Sequence, residues 1–135
     1  MKESLFQFTN PKLESIEYKL NNGFNKNEIE ELSIGSKTLI HKNNNDSNAT
    51  VSLLLFVGND TVDYPFSIKL IMSAEFIWDK AITENADELL SINAPTMLLS
   101  YARPIIAMLT VQSGLPALNL PFMNFTVNKA EFIEC

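Results

Sequence analysis

One histidine and one cysteine, His41 and Cys135, are the only residues of this chain with strong metal-binding or nucleophilic chemistry. They lie far apart, and no two acids frame either one, so a four-ligand zinc site is not expected. A serine or cysteine nucleophile needs a positioned base, and His41 is the single candidate. It precedes the run Lys42–Asn48 (KNNNDSN), where a solvated histidine is the simpler reading. The four glycines are isolated, so no phosphate-cradling loop can be built from them. The acid pairs Glu30-Glu31 and Asp87-Glu88 stand in polar contexts and read as solvated surface. The expectation is a protein without catalysis, metal or cofactor.

Arg103 is the exception. It is the only arginine, and no charged residue occurs from Pro104 to Asn128. A guanidinium in an apolar helix needs a carboxylate or backbone carbonyls, because a buried unpaired charge is costly. Two readings follow: an anion site, or a structural ion pair with Asp79, Glu84 or Asp87. The second is expected, since buried charges are normally paired.

The remaining candidates are apolar. Phe76 and Trp78 end a strand-like stretch. Leu115, Leu118, Leu120, Phe122 and Phe125 lie in a segment broken by Pro116 and Pro121. Most large apolar groups belong to a core or an interface. A proline-broken segment packs less completely, however, and apolar surface left open marks a protein or peptide site. These seven residues are the candidate peptide-binding set.

The elements that hold them can be read in order. Met1–Lys12 is a polar arm with Leu5, Phe6 and Phe8, whose conformation is undecided. Ser15–Leu20 alternates like a half-buried strand and ends at Asn21-Asn22-Gly23. Glu31–His41 places Leu32, Ile34 and Ile40 on one face, with Gly35 a candidate bulge. Thr50–Val57 is apolar on both faces, as a central strand covered on both sides would be. Gly58-Asn59-Asp60 reads as a hairpin turn. Phe66–Trp78 alternates over its whole length and is the clearest strand. Asn85 to Leu90 predicts a short capped helix, and Asn93 with Pro95 opens a second, longer one. Pro104 inside it removes one backbone bond. Leu115–Phe125 must be extended, and Thr126–Cys135 is a short tail, helix or strand. A meander of four antiparallel strands followed by a helix on one face is expected, an α+β fold in one domain spanning residues 1–135.

Thr96–Val111 has apolar residues at helical spacing and hardly any polar face. A helix apolar nearly all round must be covered on all sides. One sheet covers one side, so a second copy of the chain is expected on the other. Met97, Leu98, Tyr101, Ile105, Met108 and Leu109 are the candidate interface of a homodimer or homotetramer. Composition agrees: 46% of residues are hydrophobic and 19% charged, a thin polar coat. The formal charge of −6 argues against nucleic acid. A spanning helix needs about 20 predominantly apolar residues, and the uncharged stretch is cut by Gln112, Ser113, Gly114 and the prolines. No membrane insertion is expected, and the single cysteine fits the cytoplasm.

Tyr101-Ala102-Arg103, then Leu115-Pro-Ala-Leu-Asn-Leu120, then Asn124-Phe125 resemble the SecB family of export chaperones. That family has a YAR helix start, an FPxLNL segment and an NF at matching distances. Leu115 departs from it, standing where an aromatic residue is common. The resemblance implies a four-stranded antiparallel sheet with a long C-terminal helix. It implies subunits that pair sheets and helices, and dimers that stack through their helices. It implies an ATP-independent holdase for unfolded or extended polypeptides, working in protein export with a translocase motor as a further partner. Two alternatives stand beside this: a SecB-like chaperone dedicated to a toxin–antitoxin client, and a non-chaperone structural or ligand-binding module on the same fold.

Overall fold

A computed structural model describes residues 5–22, 33–43, 47–58, 64–127 and 129–133. Its strands are β1 (Phe6–Leu20), β2 (Ile34–Asn43), β3 (Asn48–Gly58), β4 (Phe66–Trp78) and β5 (Glu131–Ile133). A helical run from Lys80 to Gln112 follows β4 and contains α1 (Ala86–Glu88) and α2 (Ala94–Gln112). Parts of three expected turns and loops, at Gly23, residues 44–46 and residues 59–60, lie outside the described residues, as do Leu32 and Cys135.

β4 occupies the span its alternation predicts, with Phe66, Ile68, Leu70, Met72, Ala74, Phe76 and Trp78 all buried. Val51, Leu53, Leu55 and Val57 of β3 and Ile40 of β2 continue that face. α2 lies on it and closes the core with Leu98, Leu99, Ala102 and Ile106. The helical run is long and apolar enough to cross a membrane by length and composition. Here these residues of it are buried against the sheet.

The sheet differs from the expected meander. Its order is β1-β4-β3-β2-β5. β2, β3 and β4 are consecutive antiparallel neighbours, but β1 pairs with β4, not β2. A fifth strand joins parallel to β2, with Leu39 opposite Glu131 and His41 opposite Ile133. The sheet is therefore mixed and five-stranded. Three residues are too few to show a period, which left the tail undecided in the sequence. Gly35 makes no bulge, since β2 and β3 pair without a register shift. β3 is covered on one side only: Phe56, on its other face, is exposed.

The N-terminal arm and the first predicted strand are one 15-residue strand. Two register shifts interrupt it, between Thr9 and Lys12 and between Leu13 and Ser15. Asn10 takes a left-handed φ of 52° at the first, a conformation Asn tolerates better than most. Each extra residue flips the inside–outside parity of a strand. Phe6, Phe8, Leu13, Ile16, Tyr18 and Leu20 thus all oppose helix-side residues of β4 although their spacing is irregular. A period-of-two reading cannot follow a strand that changes phase twice.

The helical run is kinked at Ile82, with φ −110° and ψ 16°, and is unbroken from Ala86 to Gln112, where two helices were expected. Asn85 makes no side-chain cap. Pro95 has no N–H for the carbonyl four residues back, and the turn before it is wound wide, with the Ala94 N–H bonded to the Leu89 carbonyl. That π turn carries the helix through the place where proline signals a start. α2 likewise runs through Pro104. It ends at Gln112, and the φ of 79° at Gly114 suits a residue just past a helix.

Gly58 has a φ of 72°, and a Cβ there would sit 2.1 Å from the Phe66 carbonyl oxygen. Gly58→Ala is therefore expected to cost more than ~1 kcal/mol, read as a lowered denaturant midpoint. An unchanged midpoint would show that the β3–β4 connection relaxes freely.

Candidate functional site

The expected peptide-binding residues divide sharply in the structure. Phe76 is fully buried and Trp78 only 8% exposed. Phe76 lies under the rings of Phe6 and Phe8, with centroids 5.5 Å and 5.9 Å away. Leu120 and Phe125 are also buried in the core. These four are packing residues and line no open groove. Leu115 and Leu118 are half-buried against the core. Phe122 alone is open, at 84% exposure.

The reason lies in how Leu115–Phe125 is held. It forms neither helix nor strand, in keeping with its prolines, and Phe125 already lies in a turn. Thr110, fully buried on α2, accepts a hydrogen bond from the Leu118 N–H at 2.9 Å and donates to the Ala107 carbonyl at 2.9 Å. The Leu115 N–H donates to the Thr110 carbonyl at 3.0 Å. One buried threonine pins the segment to the helix at Leu118; beyond that point Leu120 is in the core and Phe122 is outside. Nothing in the apolar pattern distinguishes Leu120 from Phe122.

α2 has one buried flank and one open flank. Leu98, assigned to a subunit interface from its spacing, is fully buried inside the chain's own core. Met97, Tyr101, Met108 and Val111 are exposed, and Ile105 and Leu109 are half-buried. The sequence reading overlooked the neighbours of this flank. Leu13, Ile16 and Leu20 of β1 are exposed as well, and among the described residues β1 is the sheet's edge. Tyr101 meets Phe8 edge-on, with ring centroids 6.0 Å apart, and the Tyr18 hydroxyl hydrogen-bonds the Ser113 hydroxyl. The open flank of α2 and the edge strand thus form one broad apolar surface. The alternation at Ile16, Tyr18 and Leu20 was its only sequence signal.

Arg103 makes no ion pair with Asp79, Glu84 or Asp87, contrary to expectation. Because the helical run is continuous, Arg103 sits roughly 22 Å along the axis beyond Glu88, at 1.5 Å per residue. Asp87 pairs instead with Lys42 of β2, at 2.6 Å. The Arg103 guanidinium stands over the Phe122 ring, 5.0 Å from its centroid. Its Nε is buried and has no hydrogen-bond partner among the described residues.

The other face of the sheet is mixed. His41, exposed on β2, lines a cleft of about 450 Å³ with Thr50, Glu75 and Ile77. Among the described residues no group of three potential ligands gathers that could hold a metal.

A family model described as preprotein translocase subunit SecB matches residues 17–128. No curated protein sequence matches the chain. Among solved structures, a SecB-like chaperone from Mycobacterium tuberculosis, Rv1957, in complex with a ChAD peptide from the Rv1956 HigA1 antitoxin, superposes with a TM-score of 0.71. The match covers 87% of this chain and 90% of that one at 13% identity. A protein of unknown function from Streptococcus agalactiae superposes with a TM-score of 0.49 over 87% of this chain and 97% of that one, also at 13% identity.

Proposed function

The chain belongs to the SecB family, and on that premise we propose that it is an ATP-independent holdase. It binds unfolded or extended polypeptides through apolar surface and carries out no chemistry. The family match over residues 17–128 carries the reading. The open apolar surface along α2 and β1 supports it, because exposed apolar area of this kind marks protein contact. Methionines such as Met97 and Met108 adapt to many sequences.

In this reading the working form is a cytoplasmic homodimer or homotetramer. A second copy covers part of the open flank of α2, and clients use what remains. β1 is the edge strand among the described residues, the place where an extended chain adds to a sheet. The comparisons support two readings of the client's destination. The family's description favours delivery to a translocase in protein export. The mycobacterial relative, with its bound antitoxin peptide, favours a dedicated antitoxin-type client.

The test is aggregation of a reduced, unfolding protein followed by light scattering without ATP. The chain is expected to suppress scattering at near-stoichiometric amounts and to bind a hydrophobic dye in its native assembly. Unaltered aggregation at several-fold excess, with no dye binding, would return the chain to a structural module on a chaperone fold.

A further inference from the structure

The face of the sheet away from α2 carries two clefts that meet at one carboxylate. The first, of about 450 Å³, is lined by His41 and Ile77. The second, of about 470 Å³, is lined by Lys12, Glu14 and Ser73. Thr50 and Glu75 line both. Clefts of this size suit a small ligand. The second is built by the irregularities of β1, whose register slips between Thr9 and Lys12 and again between Leu13 and Ser15. Asn10, Pro11 and Glu14, the residues at those slips, all line it. Bulges of this kind re-aim side chains beside functional sites.

Ser73 lies opposite Lys12 on one side and Ser52 on the other. It is 1% exposed, and its Oγ has no hydrogen-bond partner among the described residues. Buried polar atoms nearly always have one, and a hydroxyl has two lone pairs to offer. Glu75 sets the sign of the site. It is exposed, with Thr9 opposite on β1 and Thr50 opposite on β3. No cation pairs with it among the described residues. Lys12 is engaged with Glu14 at 4.0 Å. Lys69, on the same face of β4, stands six residues away, about 20 Å at 3.3 Å per residue. A carboxylate flanked by hydroxyls is a set of acceptors, and the formal charge of −6 favours a cation as their ligand. Ile77, next along this face and 45% exposed, adds an apolar wall.

We propose that this double cleft binds a primary alkylammonium group. An ammonium has three N–H donors, and here they go to the Glu75 carboxylate, Thr50 Oγ1 and Ser73 Oγ. The alkyl stem lies against Ile77. The site is on the face of the sheet opposite the open flank of α2, so it does not depend on the holdase reading. Two sources present this group, a free amine and the side chain of a lysine.

Pentylamine is titrated into the native protein and followed by amide chemical shifts, with pentanol as its neutral counterpart. Pentylamine is expected to bind about tenfold tighter than pentanol, as a charge-assisted hydrogen bond allows, with shifts centred on Thr50, Ser73 and Glu75. Two peptides blocked at both ends, one with a central Lys and one with norleucine in its place, separate the sources. A gain for pentylamine alone assigns the site to a free amine, and a gain for the Lys peptide as well assigns it to a polypeptide lysine. Glu75→Gln, at an exposed site, should abolish the preference for the amine. Ser73→Ala should weaken the amine by about threefold, the loss of one hydrogen bond, without lowering the melting temperature. Glu17→Gln, on the same face opposite Lys69, should change nothing. Equal binding of pentylamine and pentanol overturns the site. So does an equal loss in Glu17→Gln, which would reduce the effect to general charge attraction. A lowered melting temperature in Ser73→Ala with unaltered amine affinity would make that hydroxyl structural and overturn the three-acceptor assignment.

Discussion

Met108→Asp is expected to leave the chain folded and to reduce it to a monomer. Met108 is 55% exposed and stands on the flank of α2 away from the sheet. A carboxylate there meets only solvent in the single chain. In an assembly that covers the flank it would be a buried, unpaired charge, at a cost of several kcal/mol. Each ~1.4 kcal/mol is tenfold in affinity, so association should weaken by roughly a hundredfold or more. Sedimentation velocity at micromolar concentration, with circular dichroism for the fold, reads both effects. A wild-type monomer at that concentration would remove the second copy from this flank. Leu98→Asp is the wrong probe for the question, because Leu98 is fully buried and its loss would unfold the chain itself.

Phe76→Ala should destabilise the chain by ~3–5 kcal/mol, the usual cost of truncating a buried Phe. Phe122→Ala should change stability by no more than about 0.5 kcal/mol, as exposed sites normally do. The contrast is informative because the two phenylalanines fall in one set by sequence. Phe76 packs against two rings of the N-terminal arm, so its removal also loosens the Phe6 and Phe8 end of β1. Urea unfolding of the two variants side by side gives the comparison. Similar losses for both would mean that Phe122 packs in solution against something outside the single chain.

Much of the fold was legible before the structure. The alternation from Phe66 to Trp78 specified β4 and its buried face, because a side-chain period of two admits one inside set. The prolines at 116 and 121 excluded a regular helix there, and none forms. The Tyr101–Phe125 pattern pointed to the family that the match over residues 17–128 establishes. The absence of a polar face on Thr96–Val111 foretold that one sheet could not cover the helix, and Met97, Tyr101, Met108 and Val111 do stand exposed.

Other features depended on contacts between distant residues. The pairing of β1 with β4 joins strands that are not neighbours in the chain, and two phase shifts hid the common face of β1. The parallel β5 has three residues, too few to show any period. The continuity of the helix past Pro95 rests on a wide turn that proline statistics do not announce. It moved Arg103 out of reach of the acids that seemed its natural partners. Composition and periodicity determined which residues are apolar and which elements they form. Only tertiary structure decided which of those apolar residues are inside, because burial depends on what lies opposite. Leu120 and Phe122 are two positions apart and equally apolar, yet one enters the core and the other meets water.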